Sequence, residues 1–151
     1  MRFGKGHIYE GGVRVPFIIK NANQMAKGTM NHTPVISTDF LPTLVDMLSL
    51  PVSKSVKNGF DGVSLKPLLK NKPTSQRRKS IFWHYPHYQT EGATPYSAVR
   101  NGDWKLIHII ETNTYELYNL KNDIGETQDL AASNPKMLKK LTRELEKWKK
   151  K

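Results

Sequence analysis

Ala98-Val99-Arg100-Asn101-Gly102-Asp103-Trp104-Lys105-Leu106-Ile107 decides how this 151-residue chain is to be read. Two apolar, strand-favouring runs flank Asn101-Gly102. That dipeptide is the strongest short hairpin signal, because a type I′ turn needs positive φ at both central residues. Strands are therefore expected over 96–100 and 104–110. Working outward, Ile81-Phe82-Trp83-His84-Tyr85 is aromatic and strand-favouring, and Pro86 ends it. Residues 114–120 supply a fourth strand. Ser133 or Asn134 caps a last helix with Pro135 at its first position. Leu138, Leu141, Leu145 and Trp148 form one stripe on that helix, which should lie on the sheet.

The first fifty residues have a different pattern. Lys5-Gly6-His7-Ile8-Tyr9-Glu10-Gly11-Gly12 is a glycine-rich loop holding a lysine, a good place to meet an anion. Val13 to Ile19 runs on apolar without alternating, as a strand buried on both faces does, with Pro16 near its start or on an edge. Residues 21–31 read as a loop and 33–36 as a short strand. Ser37 or Thr38 then caps a helix from Asp39 to Leu48, whose apolar face is Leu41, Leu44, Val45 and Leu48 and which Pro51 stops. The lysine-rich connection 52–59 is the expected domain boundary. Asp61-Gly62 is a turn, Ser64 caps a short helix through Leu65, Leu68 and Leu69, and 71–79 is a basic loop. The meander and last helix can bury each other, so 80–149 is expected to be the stable unit. Residues 1–50 are expected to be mobile or ordered by another chain.

No cysteine is present, which excludes disulfides and thiolate zinc sites. No apolar run approaches a membrane span, and Met1-Arg2-Phe3-Gly4-Lys5 does not open a signal peptide. The formal net charge of +11 favours polyanionic partners. The excess sits in Arg77-Arg78-Lys79 and on the last helix, where such a run reads as a solvated face. No helix-turn-helix, RNA-recognition or zinc-finger pattern appears, so no nucleic acid is expected. Asp123, Glu126 and Asp129 lack the glycine and glutamate spacing of a calcium loop, and turn or cap roles are expected for them.

Five segments, in order, resemble the type I sulfatases of the alkaline phosphatase superfamily. Lys5-Gly6-x-x-Tyr9-Glu10-Gly11-Gly12-Val13-Arg14-Val15-Pro16 is similar to their lysine loop, Asp39-x-x-Pro42-Thr43 to a helix start, and Asp61-Gly62-Val63-Ser64-Leu65 to a turn. Residues 98–107 and Glu116-Leu117-Tyr118-Asn119-Leu120 resemble their C-terminal sheet. The resemblance implies an α+β chain in two parts. Residues 1–51 would be the terminal piece of an α/β catalytic domain, and 52–151 a C-terminal subdomain of four-stranded antiparallel sheet and helix.

The same resemblance implies a parent that hydrolyses sulfate esters of carbohydrates or aryl groups, using calcium and a formylglycine. The motif that yields formylglycine is Cys/Ser-x-Pro-x-Arg. Ser49-Leu50-Pro51 and Ser133-Asn134-Pro135 lack its arginine, and neither Asp-Asp nor Asp-Asn occurs. The implied chain is thus a C-terminal portion, inactive by itself, with no cofactor of its own and a parent that is periplasmic, secreted or lysosomal. Lys5 matches the lysine that contacts sulfate oxygens. Glu10, Gly11, Gly12 and Arg14 match the motif but read as structural. His7, His84 and His87 are substrate-cleft candidates, since histidine beside tyrosine can hydrogen-bond and stack on a sugar. Pairing through the exposed strand edge at 13–19 is a further expectation. Two alternatives stand beside the sulfatase reading: a module binding sulfated glycans or other polyanions, and part of a phosphate or phosphonate ester hydrolase.

Overall fold

The computed structural model describes residues 1–20, 25–72 and 78–150. The chain forms two compact units, one of Met1–Phe17 with Lys79–Lys151, the other of Ile18–Arg78.

The first unit is built on an antiparallel meander of β1 (Ser80–Tyr85), β2 (Tyr96–Asn101), β3 (Trp104–Ile109) and β4 (Thr114–Asn119), in the order β1-β2-β3-β4. One row of the register runs Phe82, Val99, Leu106, Leu117, and the next Trp83, Ala98, Ile107, Glu116. The hairpin forms one residue later than expected. Asn101 pairs with Trp104, so Gly102 and Asp103 are the central residues. Of these two only Gly102, at φ +60°, lies in the left-handed region. Glycine at the first central position is what a type II′ turn requires.

Helix α5 (Pro135–Lys149) covers one face of the sheet, as its leucine stripe indicates. Leu141 and Leu145 are fully buried against Val99, Leu106 and Leu117, and Trp148 stacks on Phe82 at 4.8 Å. Each buried leucine is worth about 1.5–3 kcal/mol. The other face is not left to solvent. Ile8 and Tyr9 pack on Ala98, Ile107, Tyr118 and Leu120, so the unit has three layers. The first thirteen residues are therefore part of the sheet unit, not the mobile segment expected. Adjacent apolar pairs within the strands, such as Val99 beside Ala98 and Leu106 beside Ile107, require cover on both sides.

The strand expected over Val13 to Ile19 does not form. Helix α1 takes Glu10–Val13, and residues 14–20 form neither strand nor helix, with Val15 72% and Ile18 90% exposed. A doubly buried strand exists only between neighbours, and among the described residues no strand pairs with this run. The edge pairing expected there has no strand to use.

In the second unit a 3₁₀ turn (Ser37–Asp39) leads into α2 (Phe40–Met47), followed by α3 (Lys54–Asn58) and α4 (Lys66–Leu69). The short strand expected at 33–36 is absent. The Asp39 carboxylate accepts the N–H of Ile36 and of Val63, and takes Arg78 in a two-point ion pair at 2.6 and 3.1 Å. Thr43 donates to the Asp39 carbonyl and accepts the N–H of Leu65. A Cβ on Gly62 would stand 2.0 Å from the Thr38 carbonyl oxygen. The Asp-x-x-Pro-Thr and Asp-Gly-x-Ser-Leu segments are thus two halves of one hydrogen-bonded joint. This joint turns Thr43, Val45 and Met47 inward and leaves Leu41, Leu44 and Leu48 exposed, against the expected apolar face. The basic loop 71–79 and the loop 21–31 fall partly on 73–77 and 21–24, outside the described residues.

Candidate functional site

The lysine loop opens on a tight turn, in which the His7 N–H donates to the Gly4 carbonyl and Gly6 sits at φ +87°. That turn throws Lys5 outward: its side chain is 92% exposed, and its Nζ lies 3.6 Å from Glu91 Oε1 on the β1–β2 connection. The Glu91 carboxyl is held below its ordinary value, first by the Thr90 hydroxyl and in smaller part by Lys5. Such an open pair is weak, because water screens both charges. His7 stacks face to face on Phe3, with centroids 4.5 Å apart.

The loop is held to the sheet by two polar clusters. In one, Tyr9 and Tyr118 both donate to Glu116 Oε2, at 2.7 and 2.8 Å, and Arg2 donates to the Tyr118 hydroxyl while lying over the Tyr9 ring. Burial and then the Glu116 hydrogen bonds push both phenols well above their ordinary value. In the other, Glu10 is buried against the sheet. Its Oε1 meets Lys105 Nζ at 2.9 Å, its Oε2 lies 3.6 Å from Arg100 and 3.8 Å from Arg14, and its backbone N–H donates to Glu126 Oε2 at 2.6 Å. Lys105, with no exposed surface, also reaches Glu126 Oε1 at 2.9 Å. Glu126 adopts the left-handed conformation, φ +54°, to aim its carboxylate inward.

Glycines 11 and 12 make this approach achievable. A Cβ on Gly11 would be 2.2 Å from the Phe3 carbonyl oxygen, and one on Gly12 2.1 Å from that of His7. Glu10, Gly11 and Gly12 thus serve the packing of the loop on the sheet, while Arg14 is exposed and only skirts Glu10. Lys105 was missed, and Glu126, expected in a turn or cap role, is instead buried with its carboxylate on Lys105 and the Glu10 N–H. A lysine amid a strand's apolar residues, and an acid beside Gly125, were the available signals.

The three histidines fall in different places. His87 meets the Tyr85 ring edge-on at 5.4 Å, and Tyr85 in turn packs on Tyr96, whose side belongs to the face that Ile8 and Tyr9 cover. His87 and Glu91 both lie on the β1–β2 connection, which Lys5 reaches through Glu91. His84 does not. Its register partner is Ser97, which it meets through Nδ1 at 2.7 Å, and strand alternation puts both on the α5 face.

No metal site emerges among the described residues, where no group of three His, Asp or Glu side chains converges. Asp123 accepts the N–H groups of Thr127 and Gln128 and Asp129 that of Ala131, local turn roles as expected, while Asp129 also accepts the Leu117 N–H of β4. Among the described residues the donors present do not fit a calcium site.

Comparison with known proteins agrees with this geometry. The family described as N-sulphoglucosamine sulphohydrolase, C-terminal, matches residues 1–151. The chain is 36% identical over 142 residues to a sulfatase of Formosa agariphila, covering 89% of this chain and 26% of that protein. It is 31% identical over 166 residues to human arylsulfatase A, covering 93% and 31%. A solved structure of a protein with its substrate D-glucosamine-2-N,6-O-disulfate aligns at a TM-score of 0.60 and 32% identity, covering 74% of this chain and 23% of that one. The chain spans about a quarter to a third of the length of these relatives.

Proposed function

This chain belongs to the sulfatase family, as its C-terminal portion, and from that premise we propose that it forms one wall of a substrate cleft in which Lys5 contacts the sulfate group. The carrying observation is the contrast within one loop. Ile8 and Glu10 are buried and fixed to the sheet, with Gly11 and Gly12 half-buried beside them, while Lys5, five residues from Glu10, stands in solvent with the exposed Glu91 beside it. A rigid base presenting a free ammonium is the arrangement that stabilises negative charge developing on a transferred group. An incoming sulfate displaces Glu91 at small cost, because that pair is open and solvated.

In this reading His7, two residues from Lys5, and His87, on the connection that carries Glu91, line the cleft and offer ring nitrogens and aromatic faces to a sulfated sugar. A sugar as substrate is supported by the relative solved with a disulfated glucosamine. His84 is assigned instead to its Ser97 contact on the α5 face. Further polypeptide covers the exposed apolar residues near 15–19 and supplies the nucleophile and calcium, which would activate the ester. This chain's own part is to bind, orient and neutralise the sulfate.

Accordingly the pure chain should release no sulfate from an aryl sulfate or a glucosamine 6-sulfate, with or without added calcium. Spliced into the Formosa agariphila sulfatase in place of the matching segment, it should support turnover. Turnover by the isolated chain, or a folded but inert splice, would overturn this reading.

A further inference from the structure

We propose that the outer face of α5 is a docking surface for a linear sulfated polysaccharide. At 3.6 residues per turn, Lys136, Lys139, Lys140, Arg143, Lys147 and Lys150 all fall within about 100° of arc. Leu138, Leu141, Leu145 and Trp148, the side that packs on the sheet, point the opposite way. All six basic residues are exposed, and among the described residues none makes an ion pair.

The helix holds two acids, and both are engaged elsewhere. Glu144 turns back to Ser80 and Asn101, and Glu146 pairs with Lys149 at 3.0 Å. The result is an unneutralised cationic ridge about 21 Å long, by the rise of 1.5 Å per residue. A face that merely needed to be wet would carry mixed charges, whose i,i+4 pairs would steady the helix; here like charges stand at i,i+4 and destabilise it.

Beside the ridge is a depression of about 410 Å³ lined by Tyr115, Pro135, Leu138, Lys139, Thr142 and Arg143. Its two cations belong to the ridge, and Tyr115 is braced from behind by the His108 ring, stacked at 4.4 Å. An aromatic floor beside two ammonium-type groups suits a sugar ring carrying sulfates. Single-stranded nucleic acid calls for a series of aromatic platforms, and this face has one. The choice of sulfate as the anion rests on the sulfatase reading; the ridge itself does not.

The test uses the whole chain and fluorescence anisotropy with a labelled heparin oligosaccharide and a single-stranded DNA of matched charge. The quadruple variant Lys136→Gln, Lys140→Gln, Arg143→Gln, Lys147→Gln should bind heparin on the order of 10²-fold more weakly at low salt and lose most of its salt dependence. The control Lys27→Gln, Lys54→Gln, Lys70→Gln, Lys72→Gln removes equal charge from the other unit and should stay within about threefold of wild type, since it touches no ridge contact. Arg143→Gln alone, too mild to unfold the helix, should reduce the salt slope by about one. Equal losses in both quadruple variants would mean bulk charge, tighter binding of the DNA a nucleic-acid surface, and no heparin binding by wild type a solvated face; each overturns the proposal. A failed hydrolase reading shows in the turnover of the splice, whereas the ridge is read only from the contrast between the two quadruple variants.

Discussion

Replacing Lys105 by methionine should detach the lysine loop from the sheet. The ammonium has no exposed surface and lies 2.9 Å from a carboxylate oxygen of each of Glu10 and Glu126. Without it Glu10 keeps only Arg100 and Arg14, at 3.6 and 3.8 Å, and Glu126 keeps one backbone N–H. Breaking a buried pair strands an uncompensated charge and costs about 3–5 kcal/mol. Domains of this size have only about 5–15 kcal/mol in total, so the loss would be severe. All three tryptophans, Trp83, Trp104 and Trp148, lie in this unit, and their fluorescence during urea unfolding reads its stability alone. Glu126→Gln in the same chain removes the stranded charge, keeps the acceptor and should restore part of the loss. A coupling of about 1 kcal/mol or more is expected for groups in contact. Hydrogen exchange gives the local view: the amides of Gly12, Val13 and Arg14, which donate to the Tyr9 and Glu10 carbonyls, should lose protection before Leu106 does. A Lys105→Met cost under about 1 kcal/mol, set against the 3–5 expected, would refute the reasoning.

Gly12→Ala sets a methyl 2.1 Å from the His7 carbonyl oxygen and should cost about 1–3 kcal/mol by overpacking, read as an earlier tryptophan unfolding midpoint. Burial alone would raise the Asp39 carboxyl, yet Arg78 and the Ile36 and Val63 N–H groups hold it below its ordinary value. Its contribution is therefore complete above the unfolded carboxylate pKa of about 3.9 and is lost as pH falls through the lowered folded value. The Val63 and Leu65 amides should lose protection relative to their intrinsic exchange rates as pH falls, and Asp39→Asn should remove that dependence; unchanged protection would contradict it.

The meander and its helix were legible because each rests on local chemistry: Gly102 at a turn, β-favouring runs, and a leucine stripe after Pro135. The third layer was not legible from periodicity. It depends on Glu10 meeting Lys105, ninety-five positions apart, and on two glycines whose value lies in close approach and not in an unusual φ. The Val13 to Ile19 run misled for the same reason in reverse, since its composition speaks of neighbours that the chain's own strands do not supply. Lys5 is proposed on its motif, with its exposure and its loose Glu91 pair as the supporting geometry, while strand alternation puts His84 on the α5 face.

Lys5→Ala in the Formosa agariphila splice tests the central claim most directly, with Lys20→Ala beside it as a control for charge. If Lys5 neutralises the sulfate, turnover of a sulfate ester that the unaltered Formosa agariphila sulfatase hydrolyses should fall on the order of 10²-fold while the fold and the Lys20→Ala rate are unchanged. An unaltered rate in Lys5→Ala would contradict the account and leave Lys5 a solvated loop residue.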